Sequence, residues 1–349
     1  MIERFLVFIV RVYLTASARF YFNRVEVHGK ENLKSGKPIL IAANHQNAFM
    51  DGLLVAVNNF FPINIMIRAD VFNKRWASIL LRFLRLMPVY RIRDGRDSLW
   101  KNRKQFADCI KFFVKNEAVM LFPEGNHGDK RRLRTLSRGF TKIPFETLAQ
   151  HPQLDLYIIP VGINYSHLHD FNSSVSIHYG KPIAAAQYFV EPLGLQASLL
   201  KDKVSEDLKK LITHIESLEQ YDEIYSKLIA TNPDFFFPHE TNERIRKIES
   251  GEILTPTPVK KDTWIEFFLV PLKPFAFFIN YPVIWGWRKV KKKVKDPVFV
   301  TSLRYGYGIS VVQLYYVTIM GVSTIWIGWW ALFVYPGLLA SLKILRRPR

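Results

Sequence analysis

The sequence predicts an α/β domain with a largely parallel sheet, followed by a C-terminal membrane-embedded helical module. Two patterns carry this reading. Short apolar runs of strand length alternate with stretches of helical periodicity over the first two thirds of the chain. Further on, no charged residue occurs between positions 309 and 342. Composition narrows the partners: 49% of the 349 residues are hydrophobic, 14% are aromatic, and the net charge is +19. A strongly basic chain meets something acidic. The apolar and aromatic surplus selects anionic membrane lipids, and no nucleic-acid partner is expected. The single cysteine, Cys109, excludes a disulfide framework and a cysteine-based zinc site; no metal is expected.

Residues 1–24 read as an amphipathic interfacial helix. Arg4, Arg11 and Thr15 fall on one stripe, while Phe5, Leu6, Ile9, Val12 and Tyr13 face elsewhere. Arg11 interrupts the apolar run too early for a secretion signal. Strands are expected at 25–27, 39–43, 63–67, 118–122, 156–161 and 175–178. Helices are expected from 48, over 76–87 and 99–115, and over 195–230. Together 25–230 form one domain. Residues 231–262, rich in Pro and in charged and polar residues, read as a linker.

The remainder, 263–349, reads as a membrane-associated module. Glu266, Pro271, Lys273, Pro274 and Pro282 interrupt the apolar stretch 264–287, which suits a re-entrant segment better than a clean span. A basic loop follows at 288–296. As one helix, 309–342 would measure about 51 Å against a hydrocarbon core of about 30 Å. One or two spans are therefore expected, with a turn near Gly321 or Gly328. Lys343, Arg346, Arg347 and Arg349 make the tail basic as well; with an even number of crossings between the two basic segments, this is consistent with an α/β domain on the cytoplasmic face of the membrane.

The densest chemical signal is Asn44-His45-Gln46-Asn47-Ala48-Phe49-Met50-Asp51, directly after the strand at 39–43. A histidine at the carboxyl edge of a parallel sheet stands where ligands bind. A carboxylate on its other ring nitrogen would fix the tautomer of a general base. On one helix, positions 45 and 51 would lie about 120° apart. They meet only if His45 sits in the turn and Asp51 in the helix, with Asn44 or Asn47 as cap. A second strand runs into Phe122-Pro123-Glu124-Gly125, backed by Asn126, His127, Asp129, Lys130, Arg131, Arg132, Arg134 and Arg138. A Glu-Gly turn backed by cations suits hydroxyl and phosphate groups. Between the two blocks, Arg91 and Arg93 read as phosphate clamps. A fourth block, Ile158-Ile159-Pro160-Val161-Gly162, reads alone as core.

In this order the four blocks resemble the glycerolipid (phospholipid/glycerol, PlsC-like) acyltransferase superfamily, over roughly residues 25–185. Its blocks are N-H-x4-D, a G-x-I-P-V-x-R-like segment, F-P-E-G-T-R-S and V-P-V-G. The spacing of His45 to Asp51 is one longer, and Asn126-His127-Gly128 replaces Thr-Arg-Ser. Both departures resemble the fungal-type glycerol-3-phosphate/dihydroxyacetone-phosphate acyltransferases and their bacterial relatives. Their H-x-N-x-F-x-D block is matched by His45, Asn47, Phe49 and Asp51.

The resemblance implies a glycerol-3-phosphate acyltransferase-like αβ fold and O-acyl transfer in phospholipid biosynthesis. It implies catalytic roles for His45 and Asp51, and acceptor binding by Asn47, Arg91, Arg93, Glu124 and Gly125. Arg131 or Arg132 would supply the phosphate contact missing after Glu-Gly, Lys130 matches a basic residue of the subgroup's third block and would also bind substrate, and Pro160 would shape the acyl-donor or acyl-chain region. No cofactor is implied; acyl-CoA or acyl-carrier protein is the co-substrate. The acceptor is glycerol phosphate or a lysophospholipid such as lysophosphatidate. No serine elbow or suitably placed cysteine suggests an acyl-enzyme. Oxyanion donors are sought in backbone N–H groups near Gly125 or after His45. The reading from another class is a non-catalytic basic membrane-binding scaffold.

Overall fold

The computed structural model describes residues 2–33, 36–59, 61–90, 100–257 and 268–345. The chain divides into two compact units, 1–168 with 173–256, and 169–172 with 257–349. Among the described residues the first unit holds one eight-stranded sheet. Its strands are β1 (Arg24–His28), β2 (Ile39–Ala43), β3 (Ile63–Arg68), β4 (Leu86–Val89), β5 (Ala118–Leu121), β6 (Tyr157–Tyr165), β7 (Ser174–Tyr179) and β8 (Ile183–Ala184). Their order is β1-β7-β6-β2-β5-β3-β4, with β8 also pairing β6. Strands β6, β2, β5, β3 and β4 run parallel. Strands β7 and β8 lie antiparallel to β6.

Helices α1 (Ile2–Tyr21), α2 (Ala48–Val57), α3 (Arg75–Phe83), α4 (Asn102–Val114), α5 (Lys142–Gln150), α6 (Leu193–Leu211), α7 (Tyr221–Ala230) and α8 (Pro238–Glu249) complete this unit. Strands β2 and β5 are buried along their whole length, as central strands of a covered parallel sheet must be. Leu40, Val119 and Ile158 on the sheet pack with Phe113, Ile143, Val204 and Leu208 from the helices.

Gly162 on β6 lets α6 end against the sheet. A Cβ there would fall 2.1 Å from the Leu211 carbonyl oxygen. The Asn164 amide then donates to that carbonyl at 2.9 Å and accepts the Thr213 N–H at 3.1 Å. This pinning splits the helix expected over 195–230 into α6 and α7, with Ile212 extended between them.

Other expectations are also corrected. The presumed linker at 231–262 contains α8, whose Ile245 and Ile248 pack on Ile215, Tyr221, Ile224 and Leu228. The α/β unit therefore continues to Pro256. The helix expected over 76–87 stops at Phe83. Arg85 takes φ 61, and residues 86–89 pair with β3 as β4. Helix α5 had no clear periodic signal. In α1 the Arg11 guanidinium turns inward to the Ala56 carbonyl at 3.5 Å, while Phe5, Leu6, Phe8, Ile9 and Val12 stay exposed.

Away from the His45 block, His178 stacks on His28 with ring centroids 4.6 Å apart, and its Nε2 donates to the Phe236 carbonyl at 2.9 Å. Burial pulls its pKa down to about 4, below an unfolded value of about 6.5. The unfolded chain therefore takes up the proton first. Its contribution to stability is complete above pH 6.5 and is lost as the pH falls toward 4. The steepest slope is about 1.4 kcal/mol per pH unit. Denaturant midpoints measured from pH 7 to 4 should show this loss, and His178→Gln should flatten it.

The second unit is helical: α9 (Lys273–Lys292), α10 (Phe299–Tyr307), a π-turn at Gly308–Val312, α11 (Gln313–Ile327), a 3-10 segment at Gly328–Phe333 and α12 (Val334–Ile344). Helix α9 runs unbroken through Pro282 and takes in part of the expected basic loop. Residues 264–267 of the expected re-entrant segment, and Arg346, Arg347 and Arg349 of the tail, lie outside the described residues. The helical run Phe299–Ile344 is long and apolar enough to cross a membrane, but it is not straight. The Tyr335 hydroxyl donates to Gln313 Oε1, and the Tyr316 and Tyr335 rings lie 6.4 Å apart. In a straight helix positions 313 and 335 would be separated by about 33 Å. The chain reverses at Gly328, which takes φ 56, while Gly321 lies inside α11.

Candidate active site

Strands β2 and β5 are neighbours, with Ala42 beside Leu121. Their carboxyl ends therefore bring the His45 and Glu124 blocks together at one edge of the sheet. Beyond β2, the Asn44 amide continues the ladder, donating to the Ile163 carbonyl at 3.1 Å and accepting the Ile163 N–H at 2.7 Å. The chain then bends into α2 at Ala48, whose φ of 40 is rare for a residue with a side chain. Asp51 stands in the first turn of α2 and reaches back over this bend.

Asp51 is fully buried. Its Oδ2 lies 2.8 Å from His45 Nδ1 and accepts the N–H groups of Gln46 at 2.8 Å and Asn47 at 2.7 Å. Its Oδ1 accepts the Tyr165 hydroxyl at 2.7 Å. Four donors thus fix the carboxylate in place. The charged acceptor on Nδ1 puts the proton on that nitrogen, leaving the Nε2 lone pair without a hydrogen-bond partner among the described residues. The imidazole stacks on Phe122 with centroids 4.0 Å apart, and His127 meets it edge-on. Neither Asn44 nor Asn47 supplies the expected side-chain cap; Asp51 instead holds the N–H groups of Gln46 and Asn47 just before the helix. The Asn47 amide donates to the Leu168 carbonyl at 2.9 Å, and its Oδ1 is buried without a partner.

Tyr165 carries no signal in the one-dimensional pattern, because it sits 114 positions from Asp51 and reaches it only through the placement of β6 beside β2. Burial and Asp51 raise its hydroxyl well above the ordinary tyrosine range, so it stays a donor. Tyr165→Phe should cost about 1–3 kcal/mol, because Asp51 Oδ1 then lacks its partner in a buried site. Chemical denaturation of the purified variant measures this; unchanged stability would deny the bond.

Glu124 occupies a different position from an acceptor clamp. Its Oε1 accepts the backbone N–H of His45 at 2.8 Å, and its Oε2 takes the Arg134 side chain at 3.0 Å and the Arg134 N–H at 3.2 Å. The side chain is 3% exposed. Burial pushes its carboxyl up, opposed by Arg134 and by the N–H donors. Glu124 therefore joins the two blocks, and its carboxylate is already engaged. Gly125 turns the chain at φ 68 with open space where a Cβ would stand. Its N–H donates to the Phe122 carbonyl. Neither it nor the Gln46 and Asn47 N–H groups are therefore spare as oxyanion donors.

The segment after Glu-Gly folds back over the histidine loop. The Gly128 N–H donates to the His45 carbonyl at 3.2 Å, and the Gln46 amide to the Lys130 carbonyl at 3.0 Å. Of the cations expected to take phosphate, Lys130 is exposed over the Tyr221 ring at 4.5 Å. Arg131 is a correction: it is buried, its guanidinium donating to the carbonyls of Tyr165 and Ser166 and stacking on Phe235. Arg132 binds the Glu216 carbonyl. Arg134, through Glu124, is the guanidinium tied most directly to the histidine loop. Arg91 and Arg93 lie outside the described residues. Pro160 stands on β6 opposite Ala42. Among the described residues no cluster of His, Cys, Asp and Glu could hold a metal ion.

The carboxylate-held histidine thus stands at the carboxyl edge of the parallel strands, where α/β folds place their ligands. Residues 24–164 match the acyltransferase family model, and over this segment the chain resembles acyltransferases of the PlsC-like type. An uncharacterized acyltransferase of Schizosaccharomyces pombe is 37% identical over 49% of this chain and 38% of its own length. Glycerol-3-phosphate O-acyltransferase 1 of Saccharomyces cerevisiae is 34% identical over 50% of this chain and 21% of its own. The chain thus spans well under half the length of these curated relatives. A 1-acyl-sn-glycerol-3-phosphate acyltransferase of Bacillus subtilis is 28% identical over 29% of this chain and 47% of its own. Among solved structures, the 1-acyl-sn-glycerophosphate acyltransferase PlsC of Thermotoga maritima aligns with a TM-score of 0.45 at 14% identity. That alignment covers 60% of this chain and 80% of the other.

Proposed function

We propose that this chain is a membrane-associated O-acyltransferase moving a fatty acyl group from an acyl thioester to a hydroxyl of a glycerol phosphate or lysophospholipid. The observation that carries this reading is the His45–Asp51 pair, 2.8 Å apart, with Nε2 left as the free base. Nε2 takes the acceptor's hydroxyl proton as the oxygen attacks the thioester carbonyl. Asp51 stabilises the imidazolium so formed. Collapse of the tetrahedral intermediate breaks the C–S bond, and the imidazolium returns the proton to the departing thiolate.

Cys109 supports direct transfer: it is buried, and burial pushes its thiol up to about 12, far from a nucleophile's range. Lys130 and Arg134 are the described cations that would face an acceptor phosphate. The apolar outer face of α1 and the helical second unit support a membrane location, and the basic segments on both sides of 309–342 favour the cytoplasmic side for the α/β unit.

The test is incubation of purified protein with labelled acyl-CoA or acyl-carrier protein and a panel of glycerol 3-phosphate, lysophosphatidate and other lysolipids. Label in a phosphate-bearing product supports the reading. No transfer to any acceptor favours the scaffold.

A further inference from the structure

The geometry points to α3 as an in-plane docking element that lays the catalytic edge of the α/β unit on an anionic lipid bilayer. Helix α3 (Arg75–Phe83) crosses from the carboxyl end of β3 to the start of β4, the last strand of the sheet. Among its residues with described side chains none is buried. Ile79 is 64% exposed and Leu80 49%, and Val71 just before the helix is 44% exposed. Arg75, Ile79 and Arg82 follow at positions i, i+4 and i+7, so one outward stripe carries cation, apolar and cation in turn. A soluble domain normally turns such an apolar face inward.

Charge identifies the occupant. No acidic residue occurs from 71 to 93. The flanking acids are engaged: Asp70 pairs with Arg68 at the helix start, and Glu117 with Arg85 beyond its end. Among the described residues Lys74 and Arg75 have no anionic partner, and Arg82 stacks on Phe72. Apolar side chains between these cations suit an interface of acyl chains under anionic headgroups. A protein partner would need an acidic apolar groove, for which nothing in this molecule argues. A second copy would bring like charge against like.

Position gives the docking its use. The chain leaves β3 at the same sheet edge as His45 leaves β2, and only β5 lies between those strands. Two strand spacings amount to about 10 Å. Val71, Lys74 and Arg75 therefore follow the strand end at the sheet edge that carries the histidine, where a lipid hydroxyl would arrive. The inference rests on the proposed membrane-associated transfer, and adds which surface meets the lipid.

The test uses the full chain carrying Ile79→Cys labelled with a nitrobenzoxadiazole dye; buried Cys109 stays unlabelled. The protein is reconstituted in vesicles of phosphatidylcholine and phosphatidylglycerol with and without a shallow doxyl lipid. Glu249→Cys, on exposed α8, is the reference. The expected result is at least threefold stronger doxyl quenching at 79 than at 249, reduced at least twofold when Lys74, Arg75 and Arg82 become Gln. Equal quenching at the two positions overturns the proposal, whether the dye at 79 is open to aqueous iodide or shielded by protein. Acyl transfer measured on the same sample separates the two readings. Quenching without activity would sink the enzyme and leave the docking.

Discussion

Replacing His45 with alanine is expected to lower acyl transfer by about 10²- to 10⁴-fold, the range supplied by a positioned general base, with little change in fold. The imidazole is 15% exposed and its one strong side-chain bond is to Asp51. What the variant loses in packing is the stack on Phe122 and the edge contact with His127. The carboxylate keeps its other three donors, from Gln46, Asn47 and Tyr165. The Glu124 link also survives, because it uses the backbone N–H of residue 45 rather than the ring. Initial rates with labelled thioester, set beside circular dichroism and membrane content, measure this. Wild-type activity in the variant would remove the histidine from the chemistry.

Asp51 is expected to behave differently because it serves structure and reaction together. In Asp51→Ala the Gln46 and Asn47 N–H groups and the Tyr165 hydroxyl lose their acceptor inside the protein. Removing the buried partner of several donors costs about 3–5 kcal/mol, so the variant should be unstable as well as inactive. Asp51→Asn fills the same space and keeps an acceptor oxygen for the two N–H groups, while the tyrosine hydroxyl can accept from the new amide. Its stability loss should stay near 1–2 kcal/mol. The charge facing the imidazolium is gone, however, and the rate should still fall by about 10³- to 10⁴-fold. Denaturation and kinetics on the pair of variants separate the two roles. An asparagine variant with near-normal rate would show that the carboxylate only holds the loop.

The parallel sheet and the meeting of His45 with Asp51 were legible in the sequence, because strand runs and a histidine in a turn are local patterns. The roles of individual charges were not. Arg131 looks like any cation in a basic run until α7 and the Phe235 segment close over it. Glu124 reads as a ligand because a buried carboxylate and an exposed one look alike in one dimension. Only the adjacency of β2 and β5 reveals that it bonds His45 across 79 positions. Helix α8 was hidden for a related reason: it is so polar that only Ile245 and Ile248 mark its inner face. Strand β4 was masked because Leu86 and Met87 extend the apolar run of α3, and the left-handed Arg85 that divides them cannot be read from residue type.

The central claim is that the base acts on the acceptor's hydroxyl directly, with no acyl group resting on the protein. Rapid quenching of the full chain during turnover of a labelled acyl thioester, followed by intact-mass measurement, tests it most directly. The expected result is an unmodified protein mass at every time point and labelled product only when glycerol 3-phosphate or a lysolipid is present. A transient adduct of one acyl group, formed without acceptor and discharged when acceptor is added, would contradict it.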